Sequence, residues 1–144
     1  MNPAADGAAA PIPGKWRSAA LLAAAELFAM SLWFSASAVV PQLTAEWGLQ
    51  GGGASWMTMS VQLGFVAGAL ASALLTLSDR IAAPRLIALS ALLGAACNGL
   101  IVVVDAPGPA LVLRFLTGVT LAGVSPPGMK CIATWFRTDR GLGI

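Results

Sequence analysis

Four long apolar stretches alternate with short connections along the chain. Each is close to the roughly 20 residues that a helix needs to cross a bilayer. They cover about residues 18–40, 57–78, 86–104 and 109–129. Glu26 is the only charged residue in the first stretch and Arg114 the only one in the fourth, while the second and third contain none. The pattern predicts an all-α membrane protein with four transmembrane helices and the start of a fifth.

The distribution of lysine and arginine orients the predicted helices. By the positive-inside rule, basic residues concentrate in cytoplasmic connections. Apart from Arg114, they fall before the first span, between the second and third, and after the fourth: Lys15, Arg17, Arg80, Arg85, Lys130, Arg137 and Arg140. We therefore expect a multi-pass protein of the cytoplasmic (inner) membrane, with residues 1–17 as a cytoplasmic amino-terminal tail.

A cleavable signal peptide is the alternative interpretation of the amino end. The basic start, the apolar run and the small residues at 35–38 have that form. However, the polar leader is long, Glu26 interrupts the apolar core, and the run continues past the small residues. These features favour a first span that stays in the protein.

The composition agrees with a membrane protein and excludes other classes. Hydrophobic residues make up 58% of the chain and charged residues 10%, whereas a soluble domain has about 25% charged residues. The net charge of +2 is too small to suggest nucleic-acid binding. Histidine is absent and the carboxylates do not cluster, so we expect no catalytic site, no bound metal and no cofactor. Cys97 and Cys131 are interpreted as packing residues.

Glu26 is the first candidate for a functional residue. A carboxylate within a span costs a few kcal/mol and usually faces a bundle interior or a water-filled cavity. Helical spacing places Trp33 and Ser37 on the same face, which makes a polar and aromatic stripe suited to lining a pathway. The alternative is a glutamate that only hydrogen-bonds to a neighbouring helix.

Arg114 is the second candidate, about two turns from the outer end of the fourth span. Its side chain either extends to the outer interface or faces a cavity. An ion pair with Glu26 is not expected, since the two residues differ in depth by about 10 Å at 1.5 Å per residue.

Small and polar residues mark expected helix contacts. Gly64, Gly68 and Ser72 form a ladder that allows close helix approach. Gln62 lies away from this ladder and is a cavity candidate, while Asn98 is expected to bond to another helix.

The fourth span carries further features of this kind. Gly118 shares the face of Arg114, so this face either makes a close helix contact or lines a cavity. Pro126 and Pro127 remove two amide donors, which predicts a kink or local unwinding that is either functional or an ordinary helix end.

Several of these residues also fit a known pattern. The Asp79-Arg80 pair after the second span and Arg114-x-x-x-Gly118 in the fourth occur with the order of spans and the ending from Trp135 to Gly141. Together they resemble the major facilitator superfamily from about residue 16 to residue 144. The resemblance implies a twelve-helix protein in two six-helix halves, each made of three-helix repeats. Residues 18–144 would then be part of the amino-terminal six-helix bundle, with the missing remainder of the chain as their partner.

The resemblance also implies roles for individual residues. Asp79 resembles a family residue that helps to hold the two halves together on the cytoplasmic side, with Arg80 beside it. Arg114 resembles an arginine that takes part in coupling in several proton-coupled antiporters, some of which also use an acidic residue in the first span. The loop motif departs from the family, since Leu75 replaces its first glycine and its later basic pair is lost; Arg85 is a substitute one position late.

The resulting prediction is secondary active transport of a small solute by alternating access, coupled to a proton or another ion. The sequence names neither the substrate nor the direction of transport. Two alternatives stay open. One is a complete four-helix protein that works as a dimeric small multidrug exporter with Glu26 as its active residue. The other is a non-catalytic membrane anchor subunit.

Overall fold

The computed structural model describes residues 14–135, which form helices and contain no strand. In chain order, the helices are α1 (Lys15–Trp47), α2 (Gly53–Leu74), α3 (Leu77–Arg80), α4 (Ala83–Leu100), α5 (Pro107–Leu121) and α6 (Ser125–Trp135). A one-turn 3-10 helix (Ile101–Val103) extends α4. Residues 1–13 of the predicted tail and the predicted start of a fifth span, in 136–144, lie outside the described residues.

Four segments are long and apolar enough to cross a membrane. They are Trp16–Trp47, Gly53–Leu74, Ala83–Val103 and Pro107–Thr134. The last of these contains both α5 and α6. Large apolar side chains such as Phe28 and Leu92 stay about two-thirds exposed, as expected where lipid or further helices cover a bundle. The predicted all-α class and the four transmembrane helices are confirmed.

The helix ends follow local backbone chemistry. Gly48 ends α1 in the left-handed region, with φ of 59°, which glycine adopts without steric cost. The second span was predicted to continue to Ser78, but α2 ends at Leu74. Thr76 takes a φ of 50°, a conformation uncommon for a β-branched residue, and starts the short helix α3. The apolar residues around Thr76 gave no sign of this turn.

The closest helix contact joins α2 to α5. A Cβ atom at Gly64 would collide with the main chain of Phe115, and one at Gly68 would collide with the main chain of Val119. From the other side, a Cβ at Gly118 would collide with the main chain of Val61. The two backbones therefore touch directly, which only glycine permits at these positions.

The remaining spans pack around this pair. Helix α5 also contacts α4 and α1, and α6 contacts both α4 and α1. One apolar cluster contains Ala29 of α1, Val61 of α2 and Leu121 at the end of α5. A second cluster, around Met57 and Ala110, fills the other end of the α2–α5 interface. Helix α5 is thus the element that all the other spans share, and its polar residues lie where several helices meet.

Candidate functional site

Arg114 lies at the centre of the bundle. It belongs to α5, and its side chain is fully buried. Its guanidinium donates to the main-chain carbonyls of Leu32 and Trp33 in α1, at 3.3 and 2.9 Å, and to that of Met57 in α2, at 3.4 Å. The side chain therefore does not extend to the outer interface, one of the two positions that the sequence left open.

Asn98 of α4 completes the surroundings of Arg114. Its Oδ1 accepts from Arg114 Nη1 at 3.2 Å and from the hydroxyl of Ser35 at 3.1 Å. The prediction that Asn98 bonds to another helix is confirmed. Among residues 14–135, no carboxylate pairs with Arg114, so its charge is held by neutral acceptors. Removing an ion from water costs several kcal/mol, which these charge-assisted bonds must offset.

Glu26 occupies a different place on α1. It is half-buried, and its Oε2 accepts a hydrogen bond of 2.9 Å from the hydroxyl of Ser125, the first residue of α6. A Cβ atom added at Gly128 would lie only 2.6 Å from Oε1 of Glu26. The carboxylate is thus fitted against the first turn of α6. It makes no ion pair with Arg114 in the described part of the chain, in keeping with the estimated difference in depth.

The other cavity candidates, Trp33 and Ser37 of α1 and Gln62 of α2, do not lie together in the structure. Trp33 is half-buried and makes an edge-to-face contact with Phe65 of α2, with ring centroids 5.4 Å apart. Ser37 is exposed on α1, and Gln62 is exposed on α2. The structure therefore brings Trp33 to Arg114 through its carbonyl but leaves Ser37 and Gln62 outside this network.

The fourth span is interrupted between α5 and α6. Helix α5 ends at Leu121 and α6 begins at Ser125, with a turn between them. Pro126 and Pro127 follow directly, and proline suits the first turn of a helix because it needs no amide donor there. The break lies beside Glu26, so the carboxylate and the interruption form one arrangement.

The Asp79-Arg80 pair lies on the short helix α3. Asp79 accepts a hydrogen bond of 2.5 Å from Lys130 of α6, and this partner lowers the pKa of the Asp79 carboxyl below its ordinary value of 3.8. Both side chains are more than half exposed. Arg80 donates instead to the hydroxyl of Thr76, and Arg85 is exposed in the first turn of α4.

A cavity of about 1090 Å³ opens between α1 and the end of α4. Its lining includes Ser35 and Asn98 of the Arg114 network, together with Gln42, Glu46 and Asp105. Among the residues that the structure describes, no lysine or arginine contributes to this lining. Arg114 lies behind Asn98 and does not reach the cavity surface.

Sequence reasoning missed several partners that the structure supplies. Ser125 and Lys130 received no role as partners of Glu26 and Asp79, and Ser35 was considered only among the small residues of the signal-peptide interpretation. A serine within a span adjacent to a proline pair is a weak signal for Ser125. Nothing in the spacing indicates Ser35, because serine is common in membrane helices.

Comparison with known proteins gives a family. The model of the Major Facilitator Superfamily matches residues 21–144. No curated protein matched the chain, and neither did any solved structure. The matched range contains the second, third and fourth spans, the first span from residue 21 onward, and every candidate residue described above.

Proposed function

The chain belongs to the major facilitator superfamily, whose members move small molecules across membranes, and we propose that it serves ion-coupled secondary transport by alternating access. The proposed coupling ion is the proton, because Glu26 is a titratable group within a spanning helix. The proposed location is the cytoplasmic membrane with the amino terminus inside. The distribution of lysine and arginine supports that orientation.

The observation that carries this proposal is the contact of Glu26 with the broken fourth span. A carboxylate accepts hydrogen bonds more strongly when ionised than when protonated. Protonation of Glu26 therefore weakens its bond with Ser125 and, with it, the attachment of α1 to α6. Because α6 follows an interruption, it can shift without moving the whole of α5. Proton binding and helix position are linked in this way.

Arg114 supplies the second part of the proposed coupling. It holds α1 at Leu32 and Trp33, whereas Glu26 lies about two turns away on the same helix. A positive charge without a carboxylate partner is sensitive to any anion or dipole that enters the bundle. We therefore assign Arg114 to sensing the state of the transport pathway, with Trp33 positioned by Phe65 as part of its wall. Ser37 and Gln62 remain candidates for cavity residues from the sequence alone.

The connection between α2 and α4 has a separate proposed role. Asp79 and Lys130 tie α3 to α6, so the short loop follows the movement of the broken span. This fits the role of the loop in holding the two halves of such transporters together on the cytoplasmic side. Family membership also favours transport by a facilitator-type protein over the two alternatives, a dimeric small multidrug exporter and an anchor subunit.

The test uses the full-length protein in liposomes that contain a trapped pH-sensitive dye. Sugars, amino acids, organic acids and quaternary ammonium dyes are added one at a time, and internal pH and solute content are recorded. We expect at least one solute to move together with protons. Glu26→Gln is then expected to leave solute exchange in place but to abolish the proton movement, because the amide cannot titrate.

Two variants separate coupling from packing at this position. Ser125→Ala removes the hydroxyl donor, and Gly128→Ala places a methyl group against Oε1 of Glu26. Both are expected to shift the pH dependence of transport without abolishing it. Transport by Glu26→Gln that stays proton-coupled over the whole pH range would reduce Glu26 to a packing residue and remove the basis of the proposal.

A further inference from the structure

Arg114 has a single side-chain acceptor among the described residues. Three of its four acceptors are main-chain carbonyls, at Leu32, Trp33 and Met57, and these are present whatever residue occupies the position. The fourth is Oδ1 of Asn98. Arginine has five N–H donors in a fixed plane, so the direction of the guanidinium depends on where its acceptors lie. Among these four acceptors, Asn98 is therefore the one that a substitution can remove or replace.

Asn98 itself belongs to a ring of four polar groups. Nη1 of Arg114 donates to both Asn98 and the carbonyl of Leu32, at 3.2 and 3.3 Å. The hydroxyl oxygen of Ser35 lies 3.1 and 3.0 Å from the same two acceptors, and its single hydrogen is shared between them. Two donor groups thus face two acceptors, and this ring of polar groups joins α1, α4 and α5. Movement of any one member changes the hydrogen bonds of the others.

The position of Asn98 also separates Arg114 from open space. Asn98 and Ser35 line the cavity between α1 and α4, whereas Arg114 is fully buried behind them. The same cavity is lined by Glu46 of α1 and by Asp105, which follows the 3-10 helix. Either carboxylate would be a stronger partner for a guanidinium than a neutral amide. Asn98 is the cavity-lining side chain that bonds directly to Arg114.

We propose that Asn98 is a positioning residue for Arg114, which holds the guanidinium against the backbone of α1 without neutralising its charge. The proposal rests on the coupling role assigned to Arg114 above. An amide accepts from the arginine but leaves its charge unpaired, so Arg114 can exchange partners during the transport cycle. An aspartate at this position would form an ion pair with the guanidinium and would fix the arginine in place.

The first experiment observes Arg114 directly and needs no substrate. The full-length protein is labelled with ¹⁵N-arginine, placed in lipid nanodiscs, and the Arg114 guanidinium signals are assigned with Arg114→Lys. We expect resolved, slowly exchanging Nη protons in the wild type. Asn98→Leu, which matches asparagine in size but accepts no hydrogen bond, should speed their exchange by about tenfold, the effect of losing one bond to a charged group. Asn98→Asp should keep the exchange slow.

Ser90→Ala is the matched control, since Ser90 is also a buried polar residue of α4 but does not bond to Arg114. It should leave the Arg114 signals unchanged. If Asn98→Leu fails to fold, Ser35→Ala removes the other donor of the ring and should give a smaller acceleration in the same direction. Exchange in Asn98→Leu as slow as in the wild type would overturn the proposal.

The second experiment measures protons moved per solute in the liposome assay above. Asn98→Leu and Asn98→Asp should both lower this ratio, the first because Arg114 is misplaced and the second because it is neutralised. Arg114→Gln could lower the number of protons moved per solute while both Asn98 variants leave it unchanged. That result overturns the positioning role of Asn98 alone. An unchanged ratio in Arg114→Gln overturns the coupling role of Arg114, and the assignment of Asn98 falls with it.

Discussion

The α2–α5 interface and the attachment of α1 are built from different contacts. Between α2 and α5, Gly64, Gly68 and Gly118 bring the two backbones together with no side chain between them. Helix α1 makes apolar contacts through residues such as Ala29 but is also held by polar side chains, through Arg114 near its middle and through its own Glu26 beside α6. In the most apolar part of α1 only 6% of the residues are buried, against 44% in the fourth span.

This difference separates a rigid contact from one that can change. Backbones in van der Waals contact cannot slide without a clash, because packed interfaces have discrete arrangements and are not continuously deformable. Hydrogen bonds can be exchanged at little net cost when each donor finds a new acceptor, because the cost falls on groups that are left unpaired. We therefore expect α2 and α5 to move as one unit, and the position of α1 relative to α6 to respond to protonation.

The largest expected effect comes from a methyl group in the rigid interface. In Gly118→Ala, the new Cβ meets the main-chain oxygen of Val61 and the main-chain nitrogen of Phe65, which cannot rotate away. We expect a loss of stability of about 3 kcal/mol, the upper end of the cost of overpacking. Thermal unfolding of the full-length protein in detergent measures this loss.

Gly99→Ala is the matched control, since the same methyl group at Gly99 in α4 would meet no atom within 4 Å. Alanine is the better helix former, so this variant should be as stable as the wild type or gain up to about 1 kcal/mol. Equal unfolding temperatures for the two variants would mean that the α2–α5 backbones are not in contact and that this interface is not the rigid part of the bundle.

An intermediate effect is expected when α1 loses its central attachment. Arg114→Met removes the bonds to α1, α2 and α4 but also removes a buried charge. These two contributions oppose each other, so the net change in stability should stay within about 2 kcal/mol. The position of α1 should nevertheless become less defined. The distance distribution between spin labels on Leu27 of α1 and Leu70 of α2, both exposed, should broaden.

A second pair of labels, on the exposed residues Leu63 of α2 and Val112 of α5, provides the internal reference. Its distance distribution should be the same in Arg114→Met and in the parent protein. Cys97 and Cys131 are replaced by alanine so that only the chosen sites are labelled. Broadening of both pairs would show that Arg114 supports the whole bundle, and no broadening of the first pair would show that α1 does not depend on it.

The sequence predicted properties that are local or compositional. Apolar length set the number of spans, and the spacing of Gly64 and Gly68 marked the face of α2 that the structure places against α5. The partners of Glu26 and Arg114 depend on how the helices are rotated about their axes. Helices that are apolar on all sides carry little periodic signal for that rotation. The pairing of Asn98 with Arg114 and of Glu26 with Ser125 therefore needed coordinates.

The smallest effect is expected at the surface pair that joins α3 to α6. The Lys130 partner lowers the pKa of Asp79 from its ordinary value of 3.8, so the folded state binds this proton less readily than the unfolded state. The stabilising contribution is therefore present above about pH 4 and is lost as the pH falls through the lowered pKa. Because both side chains are exposed, water and salt weaken the contribution further. Asp79→Asn should lower the unfolding temperature slightly near pH 7, and this difference should shrink as the pH falls below about 4 and vanish below the lowered pKa. Arg80→Gln is the control. Arg80, the neighbour of Asp79, bonds to Thr76, so the effect of this substitution on the unfolding temperature should not depend on pH in this range.

A pH-independent difference for Asp79→Asn would mean that Asp79 stabilises the loop through helix α3 itself. The connection would then not follow α6, and the polar attachments that distinguish the movable part of the bundle would be limited to Arg114 and Glu26.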